Sequence, residues 1–235
     1  VPTVRALIAP GALILAPVAL VLLQPDLGTS LAIVFGGAVI MFSAGLPLRW
    51  FVGAGVAAAV LAPVAFFFGL QDYQQKHVFT FLDPASDPLG DGYHITQSKV
   101  AIGSGGLFGK GWLNGTQAQL DFLPESATDF IFAVYAEEVG LLGVLLLLVL
   151  YLAIVGRGLF ISVKGQDSFQ RLLAGSLSLV FFFYVFVNIG MVIGLLPVVG
   201  VPLPLISWGG TSMVSLLAGM GVLMSIHTHR RLLSS

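Results

Sequence analysis

The sequence predicts an all-α polytopic membrane protein with about six transmembrane helices and one long extracytoplasmic loop. Of its 235 residues, 57% are apolar and only 9% are charged, and the mean hydropathy is +1.00. A soluble domain carries about 25% charged residues, whereas a membrane-spanning helix needs about 20 predominantly apolar residues in a row. Six segments are long enough or nearly so: 6–23, 28–46, 51–70, 130–155, 172–194 and 212–228.

These segments divide one membrane domain into three parts. Residues 1–70 hold three spans, residues 71–129 form the large loop, and residues 130–235 hold three spans and a basic tail. The chain begins with Val1 and has no pattern of a cleavable signal peptide, so we expect none. The absence of cysteine excludes disulfides, thiolate catalysis and thiolate metal sites.

The basic residues predict the orientation. Lys and Arg near helix ends are retained on the cytoplasmic side. One set of loops holds seven of them, namely Arg5, Arg49, Arg157, Lys164, Arg171, Arg230 and Arg231; the other set holds Lys76, Lys99 and Lys110. The first set is therefore predicted to be cytoplasmic, and ten of the eleven acids, all but Asp167, then lie on the outer side.

The first outer turn, QPDLGTS at residues 24–30, contains Asp26. This residue either caps the following helix or faces a polar cavity. In the large loop, residues 93–102 are predicted to form a short amphipathic helix with Gln97, Ser98 and Lys99 on its wet face.

The run GSGGLFGKGW at residues 103–112 lacks the spacing of a nucleotide-binding loop. A Walker loop would need Gly at Ser104 and Ser or Thr at Gly111. Two interpretations remain: the glycines let a compact loop fold back on the membrane, or backbone amides with Lys110 or Lys99 contact an anionic headgroup.

The strongest candidate for a functional site is the acid-rich junction at residues 115–140. Five acids fall there: Asp121, Glu125, Asp129, Glu137 and Glu138. A carboxylate near hydrocarbon loses hydration, which raises its pKa and makes it a functional candidate.

Geometry at this junction depends on where the helix begins. Thr128 or Asp129 could cap it. If the helix extends back to Glu125, a step of about 100° per residue turns Glu125, Asp129 and Glu137 towards one cavity. The alternatives are that Asp129 is a plain N-cap and that Glu137 and Glu138 pair with neighbouring helices.

Residues 194–212, GLLPVVGVPLPLISWGGTS, contain three prolines and four glycines, which prevent a continuous helix. At membrane depth such a backbone is tolerated where it is buried in protein or lines a polar cavity. Ser207, Thr211 and Ser212 can supply hydroxyls there, and the preceding Asn188 is predicted to make an interhelical hydrogen bond.

The basic tail carries His227 and His229. Contact with lipid headgroups is favoured over metal binding, because no acid or cysteine completes a ligand set there.

Four stretches resemble the SEDS family of polytopic membrane proteins, which includes the RodA and FtsW peptidoglycan glycosyltransferases, and the RodA branch is the most similar. They are residues 24–30, 93–140 and 188–212 and the basic tail. Members usually have ten spans, so these six are expected to correspond to spans five to ten of an N-terminally truncated chain, which alone would be inactive or unstable. Two departures are Ala127, where members usually have His, and Trp208, where Tyr is common.

The resemblance implies polymerisation of lipid II into glycan strands outside the bacterial cytoplasmic membrane, for cell-wall elongation and cell shape. A sugar hydroxyl would attack the anomeric carbon with inversion. The family's catalytic aspartate matches Asp129, which suits the role of base. Lys99 and Lys110 are candidates for holding the pyrophosphate, with Mg²⁺ or Mn²⁺ as a candidate cofactor. Further substrate contacts are expected from Asp26, Gln97, Glu125, Thr128, Glu137, Ser207, Thr211 and Ser212.

The expected protein partner is a class B penicillin-binding protein, a transpeptidase, and no nucleic-acid partner is expected. Two other classes of function stay open. A carrier of lipid-linked sugars also uses broken helices and cavity-facing acids, but it should bury ionisable groups near the midplane. A noncatalytic scaffold of the cell-wall machinery predicts that Asp129 is replaceable.

Overall fold

A computed structural model describes residues 4–24, 27–68, 91–120, 122–123 and 125–228. Those residues form helices and no strand, which confirms the all-α class. The helices are α1 (Val4–Leu22), α2 (Leu27–Ser43), α3 (Leu48–Phe68), α4 (Asp91–Gly105), α5 (Thr116–Gln119), α6 (Ile131–Val163), α7 (Ser168–Val192) and α8 (Gly210–Thr228).

Three of the predicted spans are confirmed as helices long and apolar enough to cross a membrane: α6, α7 and α8. The first three spans are found as helices at the predicted positions, with shorter apolar stretches at Leu7–Leu22, Gly28–Ser43 and Leu48–Leu61. The total of six spans stays a prediction.

The main core lies between α6 and α7, with α4 packed against both helices. Its buried side chains include Ala101 of α4, Phe132 and Tyr151 of α6, and Phe181 and Met191 of α7. Half of the apolar window of α7 is buried, against 6% of that of α8. The helix α7 is therefore the centre of the described bundle.

A second cluster joins α2 to α7. Ala32 is buried against Phe183 and Val187, and the rings of Phe35 and Phe183 stack with centroids 4.1 Å apart. Apolar burial of this kind contributes about 25 cal/mol per Å². These contacts hold α2 against α7.

The helix α6 is interrupted at Gly140, whose φ of 71° and ψ of −170° are not helical. The interruption leaves two carbonyls and two amides without partners inside the helix, and the glycine-rich loop provides all four partners. The bonds are Lys110 N to Glu137 O (3.0 Å), Gly111 N to Glu138 O (2.9 Å), Leu141 N to Gly106 O (2.9 Å) and Leu142 N to Leu107 O (3.2 Å).

We call this loop, residues 103–117, and the interrupted turn of α6 the clasp. A Cβ on Gly109 would lie 2.0 Å from Glu138 O, so the approach requires glycine there. The loop packs on α6, and the predicted contact of this loop with the membrane stays a prediction. The amides of Lys110 and Gly111 bond to carbonyls of α6.

Residues 193–209 form no helix, as their prolines and glycines predict. We call this stretch the Pro-Gly segment. Its central part is buried in protein: Val201 and Leu203 are buried, and the Tyr151 hydroxyl donates to Pro204 O at 2.7 Å. A Cβ on Gly28 of α2 would lie 1.9 Å from Val199 O, so α2 touches the segment directly.

Candidate active site

The chain reaches α6 through a tight turn. Glu125 O accepts hydrogen bonds from Thr128 N (3.1 Å) and Phe130 N (3.2 Å), and Glu125 itself has a left-handed φ of 54°. Phe130 is the N-cap residue and makes no side-chain capping bond. The prediction that Thr128 or Asp129 caps this helix is therefore wrong.

The helix also does not extend back to Glu125, because a left-handed residue cannot continue a right-handed helix. The predicted alignment of Glu125, Asp129 and Glu137 along one helix face is wrong for that reason. Asp129 instead lies in the turn, two residues before α6 begins.

One buried amide fixes the backbone of Asp129. Asn188 is fully buried in α7, and its Nδ2 donates to Asp129 O at 2.8 Å and to Val201 O at 2.7 Å. Its interhelical bond was predicted, but the side chain in fact ties the turn before α6 to the Pro-Gly segment. Its Oδ1 is buried and has no partner among the described residues.

A buried hydroxyl and a backbone amide make parallel connections. Ser207 Oγ donates to Thr128 O at 2.6 Å and accepts from Leu203 N at 2.7 Å. Trp208 N donates to Ala127 O at 2.9 Å. Three successive residues, 127 to 129, are thus held through their carbonyls. The two positions that depart from the SEDS pattern, Ala127 and Trp208, are joined by one of these backbone bonds.

The side chain of Asp129 is half-buried. A Cβ built on Gly200, which has a φ of 62°, would lie 3.5 Å from Asp129 Oδ2. No described residue donates a hydrogen bond to this carboxylate. Burial raises the pKa of Asp129, and the charge of Glu125 raises that pKa further. A carboxyl group with a raised pKa is suited to accept a proton.

Glu125 and Thr128 stand beside this carboxyl group. Glu125 is exposed, and the Thr128 hydroxyl donates to its carboxylate. Both residues were predicted to contact substrate, and the structure places them in the same turn as Asp129.

His94 lies beside Phe130, the residue that follows Asp129, and the sequence analysis did not single it out. Its ring centroid lies 5.7 Å from that of Phe130, and its Nδ1 is buried without a partner among the described residues. The sequence feature that could have indicated it is an imidazole at the start of the helix predicted at residues 93–102.

Glu137 belongs to the clasp. It is fully buried, and its Oε1 accepts from Lys110 Nζ at 2.6 Å and from the amide and hydroxyl of Thr116, each at 2.9 Å. Gln117 N donates to its Oε2 at 3.1 Å, and Ser104 Oγ lies 3.3 Å from its Oε1. Of the two interpretations, the structure has the one in which Glu137 pairs with its surroundings and neighbouring helices: its partners lie in α4, in α5 and in the loop between them.

The predicted short helix exists as α4 and is longer than predicted. Lys99 is exposed on it, as predicted, and a Cβ on Gly194 would lie 2.6 Å from its Nζ. Gln97 is half-buried. Ser98 was placed on the wet face wrongly: it is fully buried and donates to Val192 O at 2.7 Å, which attaches α4 to the end of α7.

A cavity of about 410 Å³ lies between α2, α7 and α8. Its wall includes Gly200, which also borders the Asp129 carboxylate, and the hydroxyl residues Thr211, Ser212 and Ser215. The rest of its lining is mainly apolar. Thr211 and Ser212 were predicted to line such a cavity; Asp26 lies outside the described residues.

Comparisons with known proteins place these observations in a family. Residues 2–232 match the family model FTSW_RODA_SPOVE, described as cell cycle protein. The chain is 58% identical over 222 residues to the peptidoglycan glycosyltransferase MrdB of Escherichia coli, covering 94% of this chain and 60% of that protein. It is 39% identical over 215 residues to MrdB of Helicobacter pylori, covering 91% and 55%. The chain thus spans less than two thirds of the length of these relatives.

Two solved structures are similar in fold. One reports the structural coordination of polymerization and crosslinking by a peptidoglycan synthase complex; it has a TM-score of 0.79 and 35% identity, and covers 97% of this chain and 63% of that chain. The other is the rod shape determining protein RodA of Thermus thermophilus, with a TM-score of 0.64 and 30% identity, covering 97% and 59%.

Proposed function

This chain belongs to the FTSW_RODA_SPOVE family of cell cycle proteins, and from that premise we propose that it acts as a peptidoglycan glycosyltransferase. Its substrate would be lipid II, an undecaprenyl-pyrophosphate-linked disaccharide peptide. The observation that carries the proposal is Asp129, a half-buried carboxyl group with a firmly held backbone and no hydrogen-bond donor on its carboxylate among the described residues.

In the proposed reaction a sugar hydroxyl of the acceptor glycan attacks the anomeric carbon of the donor sugar, which is linked to the lipid pyrophosphate. The new O–C bond forms as the bond from that carbon to the pyrophosphate oxygen breaks, with inversion. The hydroxyl proton passes to the Asp129 carboxylate, and the bond electrons leave with the pyrophosphate. The raised pKa of Asp129 supports this role, because a stronger base removes the proton more readily.

The pyrophosphate needs positive charge as it leaves. Lys110 Nζ is 2.6 Å from the Glu137 carboxylate, which offsets its charge. Lys99 is exposed and forms no ion pair with the described residues. We therefore assign the pyrophosphate contact to Lys99 ahead of Lys110, with Gln97 on the same helix as a neutral contact.

A divalent cation such as Mg²⁺ or Mn²⁺ fits this site only in part. Among the described residues no group of three His, Cys, Asp or Glu could hold a metal. Mg²⁺, however, is usually bound by one or two carboxylates together with substrate phosphates. Asp129 and Glu125 are close enough for their charges to interact and could supply those carboxylates. When bound, such a cation would neutralise phosphate charge.

We further propose that the site faces the extracytoplasmic side of the bacterial cytoplasmic membrane and that a class B penicillin-binding protein cross-links the product. The unequal distribution of basic residues supports the orientation. The partner is supported by the similar solved structure of a peptidoglycan synthase complex.

The test is polymerisation of labelled lipid II by the full-length protein reconstituted with the transpeptidase. Wild type is compared with Asp129→Ala and Asp129→Asn, and the matched control is Asp167→Asn, an exposed aspartate at the start of α7. We expect long strands from wild type and the control, and none from either Asp129 variant.

Wild-type rates from a folded Asp129 variant would refute its role as base and favour a scaffold. If no protein makes strands but labelled lipid crosses the vesicle membrane, the protein is a carrier and the proposed function is wrong.

A further inference from the structure

Two basic side chains meet at the end of the bundle that is predicted to face the cytoplasm. Arg157 of α6 is exposed and His227 of α8 is half-buried, and Arg157 Nη2 lies 3.0 Å from His227 Nε2. A guanidinium group only donates hydrogen bonds, so His227 Nε2 accepts this one.

A third basic side chain joins them through an aromatic ring. The Phe160 ring lies 5.4 Å from Arg157 Cζ and 4.1 Å from Lys164 Nζ. Arg157 and Lys164 are seven residues apart, about two turns, and so share one face of α6. Cation–π contact with Phe160 holds both charges near one another. We call Arg157, Lys164 and His227 the basic triad.

No carboxylate of the described residues compensates the basic triad. Lys110–Glu137 is the one ion pair in the part of the chain that the structure describes. Asp167, the only acid on the predicted cytoplasmic side, is the N-cap residue of α7 and makes no capping bond with its side chain. Arg171 is not counted in the basic triad; its Nε donates to Gly165 O at 2.8 Å. Clustered positive charge that no described carboxylate pairs with is the pattern expected of an anion-binding site.

Apolar side chains beside the basic triad are strongly exposed. Val163, next to Lys164, is 78% exposed, and Met224, one turn before His227, is 69% exposed. Phe169, at the start of α7, is 73% exposed. A soluble anion would gain nothing from these side chains, whereas acyl chains would cover them.

We propose that the basic triad binds the phosphate of an anionic phospholipid, whose acyl chains lie along the ends of α6 and α8. The guanidinium fork of Arg157 matches two phosphate oxygens. Lys164 adds a point charge, and His227 lies beside the guanidinium group. The site is separate from Asp129, so it does not depend on the proposed polymerase activity.

Native mass spectrometry of the full chain, titrated with short-chain phosphatidylglycerol or phosphatidylcholine, tests the proposal. A basic residue near an anionic lipid surface contributes about 1 kcal/mol, which corresponds to about fivefold in affinity. Arg157→Gln should therefore weaken phosphatidylglycerol binding about fivefold, and Arg157→Gln with Lys164→Gln about 25-fold. Binding of phosphatidylcholine should change little.

Two further variants guard against misfolding and against a nonspecific charge effect. Arg157→Lys keeps the charge and should keep most of the preference for phosphatidylglycerol. Arg49→Gln removes an exposed cation from the same predicted face and should leave that preference intact. Equal loss with Arg49→Gln, or no loss with the double variant, would overturn the proposal. Displacement of phosphatidylglycerol by an equal concentration of inorganic phosphate would show a soluble-anion site instead, and would also overturn it.

Discussion

Two carboxyl groups near the start of α6 have opposite surroundings. Glu137, in the clasp, is fully buried and receives hydrogen bonds from Lys110, Thr116 and Gln117. Asp129 is half-buried, and no described residue donates to its carboxylate, although its backbone carbonyl is held by Asn188. The protein donates hydrogen bonds to the carboxylate of Glu137. It holds the backbone of Asp129 in place and leaves the carboxylate of that residue without a donor among the described residues.

This difference separates Glu137, a carboxylate that stabilises the fold, from Asp129, which we propose to be the catalytic base. A buried carboxylate with several donors is held in its charged form and binds segments together, so removing it leaves its partners unsatisfied. A carboxylate without donors keeps its capacity to accept a proton from substrate, at a cost in stability. We therefore expect substitutions at the two positions to affect different measurements.

The largest expected effect is on the rate of polymerisation by Asp129→Asn. The amide has the shape of the carboxyl group but cannot accept the proton, and a general base contributes about 100-fold or more. Stability should be unchanged or slightly higher, because a poorly solvated charge is removed. Lipid II polymerisation and thermal unfolding of the same sample measure both; a large loss of stability would break the distinction from Glu137.

Glu137→Gln should show the reverse behaviour. Glu137 is buried but Lys110 is exposed, so loss of their charge-assisted hydrogen bond should lower the free energy of unfolding by about 2 kcal/mol. Thermal unfolding in detergent measures it, with Glu125→Gln as the exposed control of the same chemistry. In a double-mutant cycle with Lys110→Met, the two effects should be far from additive. Additive effects would contradict the coupling of the clasp.

Asn188→Ala sharpens the comparison, because it removes the group that positions Asp129 without touching its carboxyl group. The variant loses two hydrogen bonds to backbone carbonyls, and each contributes about 1 kcal/mol or slightly less. If this free energy is lost from the stabilisation of the transition state, kcat should fall about tenfold. KM should change less, because no substrate contact is removed. Asn114→Ala, at an exposed asparagine of the clasp, is the matched control. A change confined to KM would argue against a positioning role.

The smallest expected effect is a shift of the pH dependence. Asp129 must be deprotonated to act as base, so kcat/KM should rise with pH through its raised pKa and then level off. Glu125→Gln removes the like charge that is the second cause of this rise, so the acid limb should move to lower pH. Burial, the larger cause, remains, and the limb should stay above the ordinary range of an aspartate. An unmoved limb would show that Glu125 does not act on Asp129.

Much of the fold could be predicted from sequence because its signals are local. An apolar run of sufficient length predicts a membrane helix, and α6, α7 and α8 were found where expected. The dense prolines and glycines of residues 194–212 predict a break in the helix, and the Pro-Gly segment has no helix from 193 to 209. The acid-rich junction marked Asp129 as a candidate because acids are costly beside hydrocarbon.

The helix start was predicted wrongly for a physical reason. Ser, Thr and Asp are common N-cap residues, and this local preference favoured Thr128 or Asp129. The turn instead bends at Glu125, and its carbonyls are held from outside by Ser207 and Asn188. A local preference worth about 1 kcal/mol was overridden by hydrogen bonds with the Pro-Gly segment and α7.

The sequence by itself determined the all-α membrane class, the approximate helix positions, the broken segment and the candidate carboxyl group, Asp129. Only the tertiary structure decided which carboxylate is satisfied and which is free. Lys110 and Glu137 are 27 residues apart in the chain, and Asn188 is 59 residues from Asp129. Such contacts depend on how the helices pack together, and no local pattern of residue types records that packing.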